Sequence, residues 1–325
     1  MVVANYSVVQ RQIPRVSVCT DKLQIEHLRG IALIVDVHSH IPTHEADVPP
    51  EDQASNSLIG TNVKLAGSLN EYVSAMETVD KALVFGLAPR PGSGEHPVID
   101  WNAGWHESLN HNDIAARTAA ANPEKFIPFM SLHPEQPDID DEYDRAVGDL
   151  GCKGMKLALS YQAVDPMSDA AFRLFDRLQA DGLPIVFHNG MSVAPDAVLR
   201  YAHPLAMDEV AIRFPNLKMI LAHTGHPWYE DCMAVVRKHS NVWTDISGVP
   251  SRPWMAWRAM RVFHEFSATH KMLFGSDWTL WTPQKTMDGL RAIPRFAREH
   301  NLPPIPEDEI EAIINRNSLE LLGLE

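Results

Sequence analysis

The chain has 325 residues, of which 45% are hydrophobic, and 28 basic against 42 acidic residues give it a formal net charge of −14. This charge disfavours nucleic acid and anionic membranes as partners, and no apolar run approaches the ~20 residues that would span a bilayer. Three widely separated cysteines (Cys19, Cys152 and Cys232) form neither a disulfide framework nor a CxxC metal motif, so we expect a cytoplasmic protein.

The first 30 residues differ from the remainder, which we interpret as a single domain over residues 31–325. Residues 1–20 contain two arginines and no acid, a composition that faintly resembles a transit peptide. Their six valines and Ile13 favour the alternative, an ordered N-terminal extension packed on the domain.

Short apolar segments alternate with amphipathic ones through the whole domain. The predicted strands cover residues 31–35 with the closing stretch 36–40, and then 81–85, 126–132, 154–159, 183–188, 217–223, 242–246 and 272–277. The predicted helices cover residues 68–78, 109–121, 138–150, 168–181, 205–214, 229–239 and 254–268, with two C-terminal helices at 283–299 and 307–322. Eight strands in this alternation predict an α/β protein with a (β/α)8 TIM barrel. A doubly wound open sheet is less consistent with the chain, because no GxGxxG follows the first strand. The polar loop over residues 41–67 is a candidate lid.

The first strand ends in Asp36-Val37-His38-Ser39-His40, which carries the strongest local signal. Residues two apart on a strand point to the same face, so His38 and His40 aim the same way. Two adjacent imidazoles are half of a metal site, and Asp36, one step deeper, could support a ligand. The structural alternative is a pair of hydrogen-bonded histidines at a strand end.

Other predicted strands also end in polar side chains. These residues are Lys156, His188, His223, Asp245, Ser247 and Asp277. A single histidine after an apolar strand is more often structural than functional. A barrel, however, brings the carboxyl ends of its strands around one point, where such enzymes place their chemistry. Five strand ends with ligand-type groups therefore predict a shared metal site.

These motifs together resemble the amidohydrolase superfamily, over about residues 31–323. The segments KGMKL, PIVFHNG, LAHTGHPW and LFGSDW are similar to the amidohydrolase-related branch that includes aminocarboxymuconate-semialdehyde decarboxylase. The resemblance implies that the metal ligands are His38, His40, His188 and Asp277. It implies that His223 acts as an acid or base or orients the substrate. Lys156 stands where members with two metals carry a carboxylated lysine, but we expect one metal here.

The chemistry of these residues agrees with the resemblance. Three imidazoles and a carboxylate leave an open position on a zinc ion, although manganese or iron would accept the same ligands. A metal of this kind lowers the pKa of a bound water from about 15.7 to about 7. Asp277 can then accept the proton of the water, and His223 can exchange a proton near neutral pH.

Two further residues are candidates for substrate binding. Arg252 follows the seventh strand, where it could hold a substrate carboxylate or could be an ordinary loop residue. Trp278, together with Trp228 and Trp281, could form the wall of an aromatic pocket or could cap the barrel mouth.

The sequence leaves two enzymatic hypotheses open for a small-molecule substrate. The first is a metal-dependent hydrolase, in which metal-activated water attacks an ester, lactone or amide of a small organic acid. The second is a non-oxidative decarboxylase of an aromatic or unsaturated carboxylic acid. We favour hydrolysis because Arg252 is the only good candidate for a carboxylate clamp. A non-catalytic scaffold would not be expected to retain the complete ligand set. We expect the protein to be a homo-oligomer, most simply a dimer.

Overall fold

The structure is a computed structural model that describes residues 32–43, 65–91 and 110–325. The expected N-terminal extension over residues 1–30 and most of the candidate lid over 41–67 lie outside these described residues. The base of that loop is described, and there Thr43 and Gly67 form an antiparallel bridge.

The described residues contain nine strand segments, and each pairs in parallel with the next except β3, which does not pair with β4. They are β1 (Val35–His40), β2 (Lys81–Phe85), β3 (Phe126–Pro128), β4 (Met130–Ser131), β5 (Met155–Leu157), β6 (Ile185–Phe187), β7 (Met219–Leu221), β8 (Val242–Asp245) and β9 (Met272–Leu273). The segments β3 and β4 are two halves of one predicted strand. The Phe129 amide donates to Val84 of β2 at 2.9 Å, whereas the Met130 amide donates to Gly154 beside β5 at 2.9 Å. One stretch of chain therefore connects the two halves of the sheet.

The sheet closes between β1 and the residues that follow β9. The amide of Val37 donates to the carbonyl of Phe274 at 3.0 Å, and the amide of His40 donates to that of Trp278 at 2.7 Å. Between them, the amide of Asp277 donates to the carbonyl of His38 at 2.8 Å. Closure at this seam gives eight strand positions, so the predicted (β/α)8 barrel is confirmed and the open sheet is excluded.

Helices follow the strands as predicted. They are α1 (Leu69–Ala75), α2 (His111–Ala120), α3 (Ile139–Gly148), α4 (Asp169–Ala180), α5 (Ala206–Arg213), α6 (Tyr229–Lys238), α7 (Pro253–Glu265), α8 (Pro283–Glu299), α9 (Glu307–Ile314) and α10 (Ser318–Leu322). The prediction of one helix over 307–322 was wrong. The helix is interrupted at residues 315–317, and the side chain of Asn317 caps the second piece by accepting from the Leu319 amide at 3.2 Å. Within the described part of the chain, no helix is long and apolar enough to cross a membrane.

Two clusters of buried hydrophobic side chains support the barrel. The larger one packs the strands against the surrounding helices. The smaller one consists mainly of strand residues, joined by Leu319 and Leu322 of α10; its strand members are Val35, Val37, Leu83, Phe85, Phe129, Val186, Ile220, Trp243 and Leu273. A packed interior of this kind leaves the carboxyl ends of the strands as the place for polar side chains.

Candidate active site

Four strand ends bring five predicted site residues together. His38 and His40 end β1, whereas His188, His223 and Asp277 lie just beyond β6, β7 and β9. The Nε2 atoms of His40 and His38 lie 3.3 and 3.5 Å from Asp277 Oδ1. The Nε2 of His223 lies 3.2 Å from Nδ1 of His188. The convergence that the sequence predicted is therefore present in the fold.

These side chains are suited to hold a divalent cation. One ligand atom from each of His38, His223 and Asp277 lies within 4.8 Å of the others, and His40 borders the same carboxylate oxygen. Burial lowers the pKa of His38 to about 3, and burial also lowers the pKa of His40 and of His188. Neutral imidazoles beside an ionised carboxylate are the donors that zinc and similar ions prefer. The cluster therefore fits a metal.

The grouping differs in one respect from the expected ligand set. The compact trio contains His223, whereas His188 points Nδ1 at His223 and has Nε2 3.4 Å from Ser192 Oγ. His188 is buried at the rim of the same cluster. The assignment of His188 as a ligand and of His223 as an acid or base remains a prediction.

A second buried carboxylate orients the ring of His38. Asp245 Oδ2 lies 2.9 Å from Nδ1 of His38, while its Oδ1 accepts from the amides of His223 and Ser247, each at 3.0 Å. Burial acts to raise the pKa of Asp245, but the charge and hydrogen bond of His38 outweigh burial and lower it. An ionised Asp245 keeps the proton on Nδ1, so the Nε2 lone pair of His38 faces the centre of the site.

Asp36 has a different role from the one expected. Its Oδ1 accepts from the amide of His38 at 3.0 Å and from the amide of Ser276 at 2.9 Å. Burial raises the pKa of Asp36 to about 7. Asp36 therefore joins β1 to the segment after β9 through the backbone, and Asp245 is the carboxylate that contacts the side chain of His38.

The expected substrate contact at Trp278 requires correction. The backbone of Asp277 has a φ of +66°, which breaks the alternation of side chains along the strand. As a result Trp278 is only 4% exposed, with its ring 5.0 Å from that of Tyr72. A Cβ on Gly67 would lie 2.6 Å from the Trp278 ring, so only glycine fits this contact. Trp278 therefore belongs to the core, and Trp281 lines the pocket instead.

A pocket with about 620 Å³ of empty space, part of it open to solvent, lies over the cluster. Its lining is formed by Tyr161, His188, Met191, Val193, His223, His226, Ser247, Gly248, Val249, Arg252, Met255, Asp277, Leu280 and Trp281. Arg252 lies in this wall, and its role as a carboxylate clamp stays a prediction. Its guanidinium is 5.7 Å from the Trp281 ring centroid, and its Nη1 donates to the Gly248 carbonyl at 3.3 Å. The pocket thus combines a mostly apolar wall with one guanidinium and the polar cluster.

Sequence reasoning named Ser247 but gave it no role. Its hydroxyl lies 2.8 Å from Nδ1 of His223 and donates to Asp245 Oδ1. It therefore links the histidine at the pocket to the carboxylate behind His38. The signal was present in the sequence, because Asp245 and Ser247 are two residues apart at the end of a strand.

Comparison with known proteins gives the fold and the family. The solved structure of 5-carboxyvanillate decarboxylase from Sphingomonas paucimobilis is similar at 16% identity and a TM-score of 0.60, over 90% of this chain and 100% of that one. A probable 2-pyrone-4,6-dicarboxylic acid hydrolase from Acinetobacter baumannii, solved with citric acid, is similar at 13% identity and a TM-score of 0.57, over 89% and 99% of the two chains. An amidohydrolase from Burkholderia multivorans with bound zinc is similar at 14% identity and a TM-score of 0.60, over 90% and 100%. No curated protein matches the sequence. The amidohydrolase family model matches residues 35–324, nearly the whole barrel, and the chain therefore belongs to the amidohydrolase family.

Proposed function

We propose that this protein is a metal-dependent hydrolase that uses activated water to cleave an ester, lactone or amide of a small organic acid. The observation that carries the proposal is the placement of Asp277 and His223 in the wall of one pocket, beside Arg252. Membership of a family of metal-dependent enzymes supports it.

Asp277 is suited to accept the proton of the attacking water. Burial alone would raise its pKa, but the hydrogen bond from His40 and the neighbouring His223 and His38 hold the pKa below its usual value. The carboxylate is thus ionised and available at neutral pH. Its Oδ2 faces Gly248, where a Cβ would approach to 3.4 Å, so the glycine leaves one side of the carboxylate accessible.

His223 is suited to exchange a proton with the leaving group. Its Nδ1 contacts Ser247 Oγ at 2.8 Å, and its backbone amide is bound by Asp245. These contacts hold the ring at the pocket wall. A positioned acid or base of this kind typically contributes about 10² to 10⁴ in rate.

We propose one divalent ion per chain, held by His38, His40, His188 and Asp277, with zinc preferred and manganese or iron compatible. When bound, such an ion polarises the substrate carbonyl and makes water more acidic. The zinc in the similar Burkholderia multivorans structure supports the preference.

Arg252 and Trp281 suggest the substrate class. A guanidinium can bind a carboxylate through two hydrogen bonds, and the adjacent indole provides a flat apolar surface. We therefore propose a substrate that carries a carboxylate on a planar or ring-shaped body.

The same contacts favour one alternative, a decarboxylase of an aromatic or unsaturated acid. Arg252 beside Trp281 would suit such an acid, and one similar structure is a decarboxylase at 16% identity. In that reaction, His223 would supply the proton to the carbon that loses carbon dioxide.

A screen of carboxylate-bearing lactones, esters and amides, together with aromatic acids, separates the two reactions. Cleavage of the ester, lactone or amide bond without release of carbon dioxide identifies a hydrolase, and release of carbon dioxide from an aromatic acid identifies a decarboxylase. The variant Arg252→Lys is the matched control for carboxylate recognition: it retains the charge, loses the bidentate fork, and should raise KM more than it lowers kcat.

We also propose that the barrel over residues 31–325 carries an N-terminal extension over residues 1–30 and forms a cytoplasmic homodimer. Cys152 and Cys232 are buried free thiols, which suits a reducing compartment. Light scattering of the full chain tests the dimer.

A further inference from the structure

Lys156 lies among the predicted metal ligands and has no role in the proposed reaction. Lys156 is the central residue of β5, paired with Ser131 and Val186 on the neighbouring strands, and is 1% exposed. Its Nζ lies 3.1 Å from Nε2 of His38 and 4.8 Å from the centroid of the Phe85 ring. This places a buried amine directly against an expected metal ligand.

The direction of the contact follows from the other side of the imidazole. Nδ1 of His38 is held by Asp245 at 2.9 Å, so Nε2 carries the lone pair. A protonated lysine can donate hydrogen bonds but cannot accept them. Lys156 therefore donates to the same lone pair that would coordinate a metal.

The carboxylates of Asp245 and Asp277 stabilise a cation at this position. Burial lowers the pKa of Lys156 to about 8, and the charges of Asp245 and Asp277 oppose this shift. The lysine stem cannot move far, because β5 is fixed between two strands and the amine lies over the face of Phe85. An ion that bound His38 would have to displace this ammonium from the lone pair and would remain close to it.

We propose that Lys156 stays unmodified and competes with the divalent ion for His38 Nε2, so that it weakens binding of that ion. This inference rests on the metal site of the proposed function. Two positive charges in a buried site repel each other strongly, since the protein interior screens them less than water does. Lys156 in this proposal lowers the metal affinity of the site.

The test measures the zinc affinity of the protein and does not depend on its catalytic activity. Zinc is titrated into metal-free, full-length protein in competition with a chromogenic chelator, for the wild type and for Lys156→Met, which retains the length of the side chain and removes the charge. We expect the Kd of Lys156→Met to fall by roughly tenfold or more, with one zinc per chain in both proteins. Lys156→Gln, which keeps a neutral donor, should give an intermediate Kd and also decides the matter if the methionine variant does not fold.

Lys271 provides a matched control. It is also a buried lysine, but it precedes β9 at the opposite end of the barrel and donates to the Ser240 carbonyl at 2.9 Å. Lys271→Met should leave the zinc Kd unchanged.

An unchanged or higher Kd in both Lys156 variants would overturn the inference. Two zinc ions in the wild type and one in Lys156→Met would also overturn it, because the lysine would then be a bridging ligand. A wild-type protein that binds no divalent ion would refute the proposed metal site itself, whereas tight wild-type binding with unaffected variants refutes only the role of Lys156.

Discussion

Replacing Asp245 by asparagine tests how the site controls its first histidine. The change is isosteric and removes the charge that faces Nδ1 of His38 at 2.9 Å. Two backbone amides, those of His223 and Ser247, require an acceptor at Oδ1. The amide oxygen of asparagine will satisfy these two donors, so its NH₂ group must face His38.

An NH₂ group in that position forces Nδ1 of His38 to accept and moves the ring proton to Nε2. A protonated Nε2 cannot coordinate a metal. Loss of a carboxylate behind a ligand histidine typically costs about 10- to 100-fold in metal affinity. The lost hydrogen bond to a charged group should also lower the free energy of unfolding by about 1.5 to 3 kcal/mol.

The assay combines a chelator competition for zinc affinity, chemical unfolding of the metal-free protein, and nitrogen NMR of the imidazole tautomers. Asp36→Asn is the matched control. Asp36 is equally buried, but its Oδ1 accepts from the backbone amides of His38 and Ser276, and its Oδ2 has no hydrogen-bond partner among the described residues. Asparagine can keep those two bonds, so zinc affinity should be unchanged. Wild-type affinity in Asp245→Asn, or an equal loss in Asp36→Asn, would refute the tautomer argument.

Three further outcomes are expected. His38→Ala should lose the metal and keep its circular dichroism spectrum, because the residue lies at the barrel mouth; retention of the metal would remove it from the ligand set. His223→Asn should keep the metal and lower kcat by about 10² to 10⁴, as measured on a substrate from the screen, whereas metal loss would make His223 a ligand. Trp278→Ala should lower the free energy of unfolding by about 3 to 5 kcal/mol in a denaturant titration, because it empties a core position. Trp281→Ala, at the pocket, should instead raise KM in steady-state kinetics. Equal losses of stability in the two variants would contradict their different placement.

The sequence by itself determined the barrel and the set of residues that meet in it. Both depend on local patterns: short apolar strands in regular alternation with helices, and polar groups at the strand ends. Two histidines spaced by one residue on β1 must share a face, and Asp277 must lie at the end of the last strand. A closed barrel then brings them together wherever the intervening helices run.

Only the tertiary structure decided which tryptophan lines the pocket and which carboxylate contacts the side chain of His38. Trp278 and Trp281 are equivalent candidates in the sequence, and the φ of +66° at Asp277, which directs Trp278 into the core, is set by hydrogen bonds to β1. Asp36 and Asp245 are both buried carboxylates at strands, and only the packing of β8 against the closing seam places Asp245 behind His38. These contacts join residues more than 200 positions apart, and local patterns carry no information about such distant pairs, because the geometry depends on how the whole barrel closes.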